Sequence, residues 1–358
     1  MPYESKGFKD DMRRLKRAVI AIVSDVWFLN RVSQCCFVVG LSGIGGVGVI
    51  FAIPYLYTDY SENVVFYVRA FGCFLALQMI VNWLCIKFVG TSYNPFRDGV
   101  IPDGISMGEN ISRVRYADEN QNNGLTNSRG RKDATTVNLG TGSTGSLMYV
   151  ASELPKSAEE GPKRTAYPYF SWTPCLRCNR PRPPRCHHCP MCNTCVLKRD
   201  HHCFIAGACV GYRNLRHFTV FLFWASVATT FATLHALPYY YYDVLPYTSY
   251  FDFIFPIAIT RAMFGYIDVK FALFIVLGWI LLGFLFWSIS FLQVVVNLIK
   301  AGKTTFEKEY KMELTDTRGF LGKIRAVYGN YWILNFIVPL HNVFEPIDDP
   351  VRWPYIKA

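Results

Sequence analysis

Residues 175–209 read CLRCNRPRPPRCHHCPMCNTCVLKRDHHCFIAGAC, and this stretch holds eight of the chain's twelve cysteines together with His187, His188, His201 and His202. Cys175-x2-Cys178 and Cys189-x2-Cys192-x2-Cys195 have the spacing with which a tight turn presents two thiolates to one ion. Structural zinc takes four nitrogen or sulfur ligands in a tetrahedron, so two closed sites use eight of these twelve candidates and leave four over. Thiols so dense and so locally paired do not make a disulfide framework for 358 residues. They read as metal chemistry in a reducing compartment.

The string Asp200-His201-His202-Cys203 carries more than ligands. If one histidine of the pair binds metal, the other sits beside a spare thiol and directly after a carboxylate, the ingredients of a nucleophile, a base and an orienting acid. His201 would accept the Cys203 proton while Asp200 fixes the imidazole tautomer. Around them stand eight cations, Arg177, Arg180, Arg182, Arg185, Lys198, Arg199, Arg213 and Arg216, with Asp200 the only acid between Arg177 and Arg216. Such charge favours thiolate. It also offsets metal-bound sulfur, meets anionic lipid, or binds a phosphate-rich ligand. Nucleic acid is disfavoured, because the segment lies between two apolar spans and lacks ββα finger spacing.

Outward from this stretch the chain is 51% hydrophobic and only 18% charged, against about 25% charged in average soluble proteins. The apolar excess is gathered into four runs long enough to cross a bilayer, at about 35–57, 64–89, 218–239 and 271–298. Shorter runs at 254–259 and 332–340 suit an interface. Net charge is +11. Lys6, Lys9, Arg13, Arg14, Lys16, Arg17 and Arg31 precede the first run, while the 58–63 turn has no Lys or Arg. Positive-inside logic then puts both termini and the cysteine-rich stretch in the cytosol.

Met12, Leu15, Val19, Ile22, Val23 and Val26 recur at helical spacing, which predicts an interfacial helix. The long charged lead-in lacks a small-residue cleavage site and argues against a signal peptide. Residues 103–162 are rich in Asn, Ser, Thr and Gly and read as disordered linker. Arg69 at the edge of the second run reads as snorkelling. The expected fold is an α-helical polytopic membrane protein, four transmembrane helices with a small cytosolic zinc-binding cysteine-rich domain. Its parts are an N-terminal segment 1–34, helices one and two in 35–89, a linker 90–165, the cysteine-rich domain 166–217, helices three and four in 218–298, and a cytosolic region 299–358.

The pattern Cys175-x2-Cys178-x9-His188-Cys189-x2-Cys192-x2-Cys195-x4-Asp200-His201-His202-Cys203-x5-Cys209-x4-Asn214-x3-Phe218 resembles the cysteine-rich domain of the DHHC-type protein S-acyltransferases (palmitoyltransferases). Thr304-Thr305-Phe306-Glu307 after the fourth run is similar to that family's TTxE motif. The resemblance implies one zinc on Cys175, Cys178, His188 and Cys195 and another on Cys189, Cys192, His202 and Cys209, both structural. It implies ping-pong transfer of a fatty acyl group, palmitoyl foremost, from acyl-CoA through a Cys203 thioester to cysteine thiols of membrane-associated proteins. His201 would then be the base, Asp200 its orienter and Thr305 the partner of Asp200, with Lys198, Arg199, Arg213 and Arg216 assigned to the CoA phosphates. Membrane lipids are the other expected partner, and the endomembrane system (Golgi, endoplasmic reticulum or plasma membrane) the expected location.

Three positions depart from the family pattern. Phe204-Ile205 stands in place of Pro-Trp, and Phe204 is expected to supply the apolar contact near the thioester. Arg97-Asp98-Gly99 stands in place of Asp-Pro-Gly, and Lys323 in place of Asn. A membrane-anchored zinc adaptor and a catalytically silent scaffold are the competing readings. The adaptor has no use for an acid-base-thiol string.

Overall fold

The computed structural model describes residues 25–94, 98, 173–175, 177, 178, 180–338 and 346–357. The interfacial helix expected ahead of residue 25 and the linker expected over 103–162 lie outside the described residues. Among the described residues four helices are long and apolar enough to cross a membrane: α1 (Val26–Leu56), α2 (Glu62–Phe88), α3 (Leu215–Tyr247) and, after a short α4 (Phe255–Met263), α5 (Val269–Ala301). The shortest of the four, at 27 residues, rises about 40 Å and exceeds the roughly 30 Å of hydrocarbon.

Helix α1 begins nine residues before the expected start at 35. Asp25 caps it, its side chain accepting from the N–H groups of Trp27 and Phe28, which satisfies two of the donors that a helix start leaves open. The polar turn Asn30–Gln34 stays helical because its side chains bond inward, Gln34 Nε2 to the Asn30 carbonyl and Asn30 to the cysteine-rich module. Farther along, α1 loosens to a π-helix over Val47–Ala52 before closing at Ile53–Leu56.

Helix α3 also outruns its expected end at 239. Pro238 withdraws one backbone donor, and the chain rewinds as a π-helix at Tyr240–Val244 and a 3-10 turn at Leu245–Tyr247. This helix is the hub of the bundle, packed against both α2 and α5. Its first eight residues, Leu215 to Leu222, are all buried. Helix α1 approaches α5 closely: a Cβ on Gly43 would lie 3.0 Å from Leu277 and one on Gly40 3.2 Å from Phe284.

Between α2 and α3 the chain makes three two-stranded antiparallel hairpins, β1 (Thr173–Cys175) with β2 (Arg180–Arg182), β3 (His187–Cys189) with β4 (Thr194–Val196), and β5 (His201–Cys203) with β6 (Ala208–Val210). Register sets His188 opposite Cys195 and His202 opposite Cys209. The segment leaving α2 threads beside this module, Tyr93 N–H donating to the Cys195 carbonyl at 2.8 Å.

Helix α5 ends at Gly302, left-handed at φ 68°, where a Cβ would also strike Asp316 at 2.3 Å. From there the short α6 (Thr305–Glu309) leads to β7 (Thr315–Asp316), α7 (Phe320–Tyr328) and β8 (Ile356–Lys357). Leu314, Trp353 and Ile356 from this last region close over Cys175, Cys186, Cys195 and Leu197.

Candidate functional site

The hairpins gather the thiols and imidazoles into two groups, Cys175, Cys178, His188, Cys195 and Cys189, Cys192, His202, Cys209, and in each the four ligand atoms lie within 4.8 Å of one another. Sulfurs about 2.3 Å from a shared zinc stand about 3.8 Å apart in a tetrahedron. Cys178 and Cys195 Sγ are 3.6 Å apart, as are Cys192 and Cys209 Sγ. Each group presents a histidine Nδ1, His188 3.3 Å from Cys178 and His202 3.3 Å from Cys192. Both donor sets therefore fit a four-coordinate metal ion. The remaining candidates, Cys186, His187, His201 and Cys203, belong to neither group.

Beside the second group, hairpin β5–β6 turns the spare residues toward one another. His201 donates Nδ1–H to Asp200 Oδ2 at 2.8 Å, and Cys203 lies near enough to act electrostatically on the same ring. Asp200 is buried while a quarter of the His201 side chain stays open. Burial lowers the His201 pKa, but the bond to Asp200 and the attraction of Asp200 and Cys203 outweigh it and hold the imidazole at about 9. Burial raises Asp200, and its bonds to His201 and Thr305 reverse that, leaving the carboxyl below its ordinary range. Edge-on contact with Phe218, ring centroids 4.9 Å apart, fixes the far side of the His201 ring.

Helix α6 supplies the Asp200 partners by its capping. Thr304 Oγ1 accepts from Glu307 N–H at 3.2 Å, and Glu307 Oε2 accepts from Thr304 N–H at 2.8 Å. This reciprocal cap leaves the next N–H, that of Thr305, without a helical acceptor. Thr305 donates it to Asp200 Oδ1, and its hydroxyl to Oδ2, both at 2.8 Å. Glu307 in turn takes Arg185 bidentately, Nε at 2.6 Å and Nη2 at 2.7 Å, with both side chains 1% exposed. Arg185 was legible in the sequence only as one of eight cations.

Residues 169–312, which contain both ligand groups and this acid-base-thiol cluster, match the family model described as DHHC palmitoyltransferase. This chain carries a DHHC palmitoyltransferase domain. It is similar to probable protein S-acyltransferase 14 of Arabidopsis thaliana, 32% identical over 170 residues that cover 45% of this chain and 49% of that protein. Against palmitoyltransferase pfa3 of Emericella nidulans it is 33% identical over 173 residues, 47% of this chain and 30% of the relative. A shorter match to palmitoyltransferase PFA3 of Candida glabrata reaches 53% over 53 residues, 15% and 16% of the two chains. The chain spans about half the length, or less, of the curated relatives it matches.

The surroundings of the DHHC string differ from expectation in several places. Phe204 packs edge-on against His202, ring centroids 5.2 Å apart, and is not a wall of the apolar cavity between the helices. Ile205 is. The backbone conformation after Cys203 sends Ile205 inward with Phe37, Met79 and Phe221, and Trp83 Nε1 donates to its carbonyl at 2.9 Å. Lys323 donates Nζ to the Lys300 carbonyl at 2.8 Å, where α5 leaves its last carbonyls open and a cation is favourable.

The cations assigned to CoA phosphates do not form one exposed cluster. Lys198 is buried with its ammonium 5.4 Å from the Trp353 ring centre, and burial followed by repulsion from Arg185 lowers its pKa to about 8. Arg213 pairs with Asp98. Arg216 is 1% exposed at the head of α3, its Nε donating to His217. Arg199, half-buried, lies over Phe306.

Sequence reasoning missed Asn30. Its Oδ1 lies 3.1 Å from His202 Nε2, the nitrogen opposite the atom offered to the second group, so a side chain of α1 orients a candidate metal ligand. Gln34, one turn on, bonds the Asn30 carbonyl and accepts from Lys87 Nζ of α2. An isolated Asn at the head of an apolar run carries no spacing signal.

Proposed function

We propose that this protein is a protein S-acyltransferase that moves a fatty acyl group from acyl-CoA through a Cys203 thioester to cysteine thiols of membrane-associated proteins. The observation that carries this reading is the alignment of Thr305, Asp200, His201 and Cys203 beside an apolar cavity whose wall includes Ile205. In the first half-reaction the Cys203 thiol gives its proton to His201, and the thiolate sulfur attacks the acyl carbonyl carbon of acyl-CoA. The bond to the CoA sulfur breaks, and His201 returns its proton to that leaving thiolate. In the second, a substrate cysteine gives its proton to His201 and attacks the Cys203 thioester; Cys203 leaves as thiolate and is reprotonated.

Asp200 acts by orientation and charge: it keeps the Nδ1 proton in place and stabilises the imidazolium that forms at each step. Thr305 holds Asp200. The two ligand groups suit structural zinc, which would tie the hairpins together and hold their thiolates; four protein ligands fill each tetrahedron. Arg199 is the best placed of the nominated cations to meet CoA phosphate. The acyl chain would lie in the cavity among α1, α2, α3 and α5.

The charge distribution supports a cytosolic face for both termini and for the domain at 166–217, in an endomembrane or plasma membrane. The segments 1–34, 90–165 and 299–358 would then be cytosolic, and 35–89 and 218–298 would contain the membrane-spanning pairs. The test is to incubate purified protein with labelled palmitoyl-CoA and locate a hydroxylamine-sensitive adduct. Label on Cys203 supports acyl transfer. Zinc-replete protein that takes no label is a scaffold.

A further inference from the structure

Residues 346–357 form a strap over the cysteine-rich module that is fastened on both sides of Trp353. On one side Tyr212 donates its hydroxyl to the Asp348 carbonyl, and Arg318 Nη1 donates to Asp348 Oδ1 at 2.5 Å. On the other, Ile356 pairs with Asp316 across β7 and β8. Trp353 itself is buried, and its indole N–H has no hydrogen-bonding partner among the described residues. A buried indole ordinarily finds one. The polar contacts of this side chain are made by its ring face instead. The Arg185 guanidinium carbon lies 4.8 Å from the ring centre and the Lys198 ammonium 5.4 Å, within the range at which the face of an indole attracts a cation.

Both cations sit on unusual backbone. Arg185 has φ 61° and Lys198 φ 42°, left-handed values for residues that carry a Cβ. Such conformations persist where the surroundings over-determine them, and they gather at functional sites. The two residues flank hairpin β3–β4, and Arg199 N–H donates to the Arg185 carbonyl at 3.3 Å. The pair is thereby tied to the residue that precedes Asp200.

From Arg185 an unbroken line of bonds reaches Asp200 by a second route. Arg185 donates Nη2 to the Gly302 carbonyl at 3.0 Å, where α5 ends, and both Nε and Nη2 to Glu307. Glu307 Oε2 also takes the Thr304 N–H that closes the cap of α6, and that cap aims Thr305 at both Asp200 oxygens. Glu307 draws the guanidinium toward α6, and the Trp353 face holds it from the strap. Without that face the carboxylate shared by Arg185 and Thr304 loses a fixed partner.

We infer that Trp353 is a positioning residue for acyl transfer, its ring face holding Arg185 so that the strap at 346–357 sets the cap of α6 and the grip of Thr305 on Asp200. This rests on the acyl-transfer reading above and extends its machinery to a residue that touches no substrate.

Purified full-length protein is tested by single-turnover acylation with palmitoyl-CoA over a range of concentrations. Trp353→Leu, which keeps an apolar side chain and removes the ring face, should lower the maximal rate about tenfold. The half-saturating acyl-CoA concentration and the metal content should not change. Trp353→Phe should recover most of the rate. In an Asp200→Asn background Trp353→Leu should change the rate by less than about twofold, because the group through which it acts is already altered. Should Trp353→Leu fail to fold, tetrafluorotryptophan placed at 353 keeps the shape and weakens the face, and it should slow acylation by about threefold or more. An unchanged rate there overturns the inference. So does a tenfold loss in both backgrounds, a Phe variant no faster than Leu, a raised half-saturation at unchanged maximal rate, or loss of metal, and in each of these cases acyl transfer stands. A wild type that forms no adduct overturns the acyl-transfer reading and the inference with it.

Discussion

Thr305 donates both its N–H and its hydroxyl to Asp200, each at 2.8 Å, although 105 residues and helices α3, α4 and α5 separate the two in the chain. The C-terminal side of the bundle thus reaches back to hold the acid that orients His201. Thr305→Val removes the hydroxyl bond and keeps the backbone bond. A hydrogen bond to a charged group is worth about 1.5–3 kcal/mol, so single-turnover acylation of Cys203 should slow by about an order of magnitude with metal content unchanged. Thr305→Ser should recover most of the rate.

Cys203→Ser should abolish the hydroxylamine-sensitive adduct without releasing metal, because Cys203 stands outside both ligand groups. His201→Ala should keep the thiol but slow acylation by about 100-fold or more. Loss of zinc from Cys203→Ser, read by atomic absorption, would mean that the thiol is a ligand and not the nucleophile.

Two zinc ions per chain are expected. Cys192→Ser should lose metal and folded protein together, since structural zinc binding is coupled to folding. Asn30→Leu makes a finer cut, because it removes the oxygen facing His202 Nε2 and leaves every ligand in place. Chelator competition should then show one of the two ions released about 10- to 100-fold more readily and the other unchanged. Equal release of both would remove Asn30 from the second site.

Glu307→Gln should strip the charge partner from Arg185, a residue 1% exposed and held at φ 61°. A buried ion left without its partner costs about 3–5 kcal/mol. Thermal unfolding followed by circular dichroism should report a clear loss of stability, with Glu307→Asp less affected than Glu307→Gln.

Lys198 gives a pH signature. Its pKa is about 8 in the fold against 10.5 for an exposed lysine, chiefly through burial. Below about pH 8 the folded and unfolded chains both carry the proton, and folding bears the whole cost of enclosing the charge. Between about 8 and 10.5 the folded chain releases it first and the cost fades. Lys198→Met should therefore raise Tm by about 2–4 °C at pH 7, and the gain should vanish toward pH 10.5. A gain that is flat with pH would show that packing against Trp353, and not charge, sets the difference.

Much of the site was readable before any fold was known, because its signals are local. A tight turn offers thiolates two residues apart, so Cys189-x2-Cys192 announces a ligand pair wherever it stands. Apolar runs announce helices by a simple sum along the chain. The boundaries failed where side chains found partners elsewhere: Asn30 and Gln34 let α1 begin at Val26 because they bond inward, and α3 passes Pro238 by changing its winding.

Hydropathy, ligand spacing and the Asp200-His201-His202-Cys203 string were determined by the sequence alone, since each depends on neighbours within about one turn. Tertiary structure decided the rest. It chose Ile205 over Phe204 for the cavity wall, placed Lys323 on the last turn of α5, brought Asn30 to His202 across 172 residues, and set Arg69 against the Val49 carbonyl. Each of these is a polar group or backbone direction that must be satisfied inside a low-dielectric interior. The partner that satisfies it is whichever group packing brings within about 3 Å, and no spacing along the chain encodes that choice.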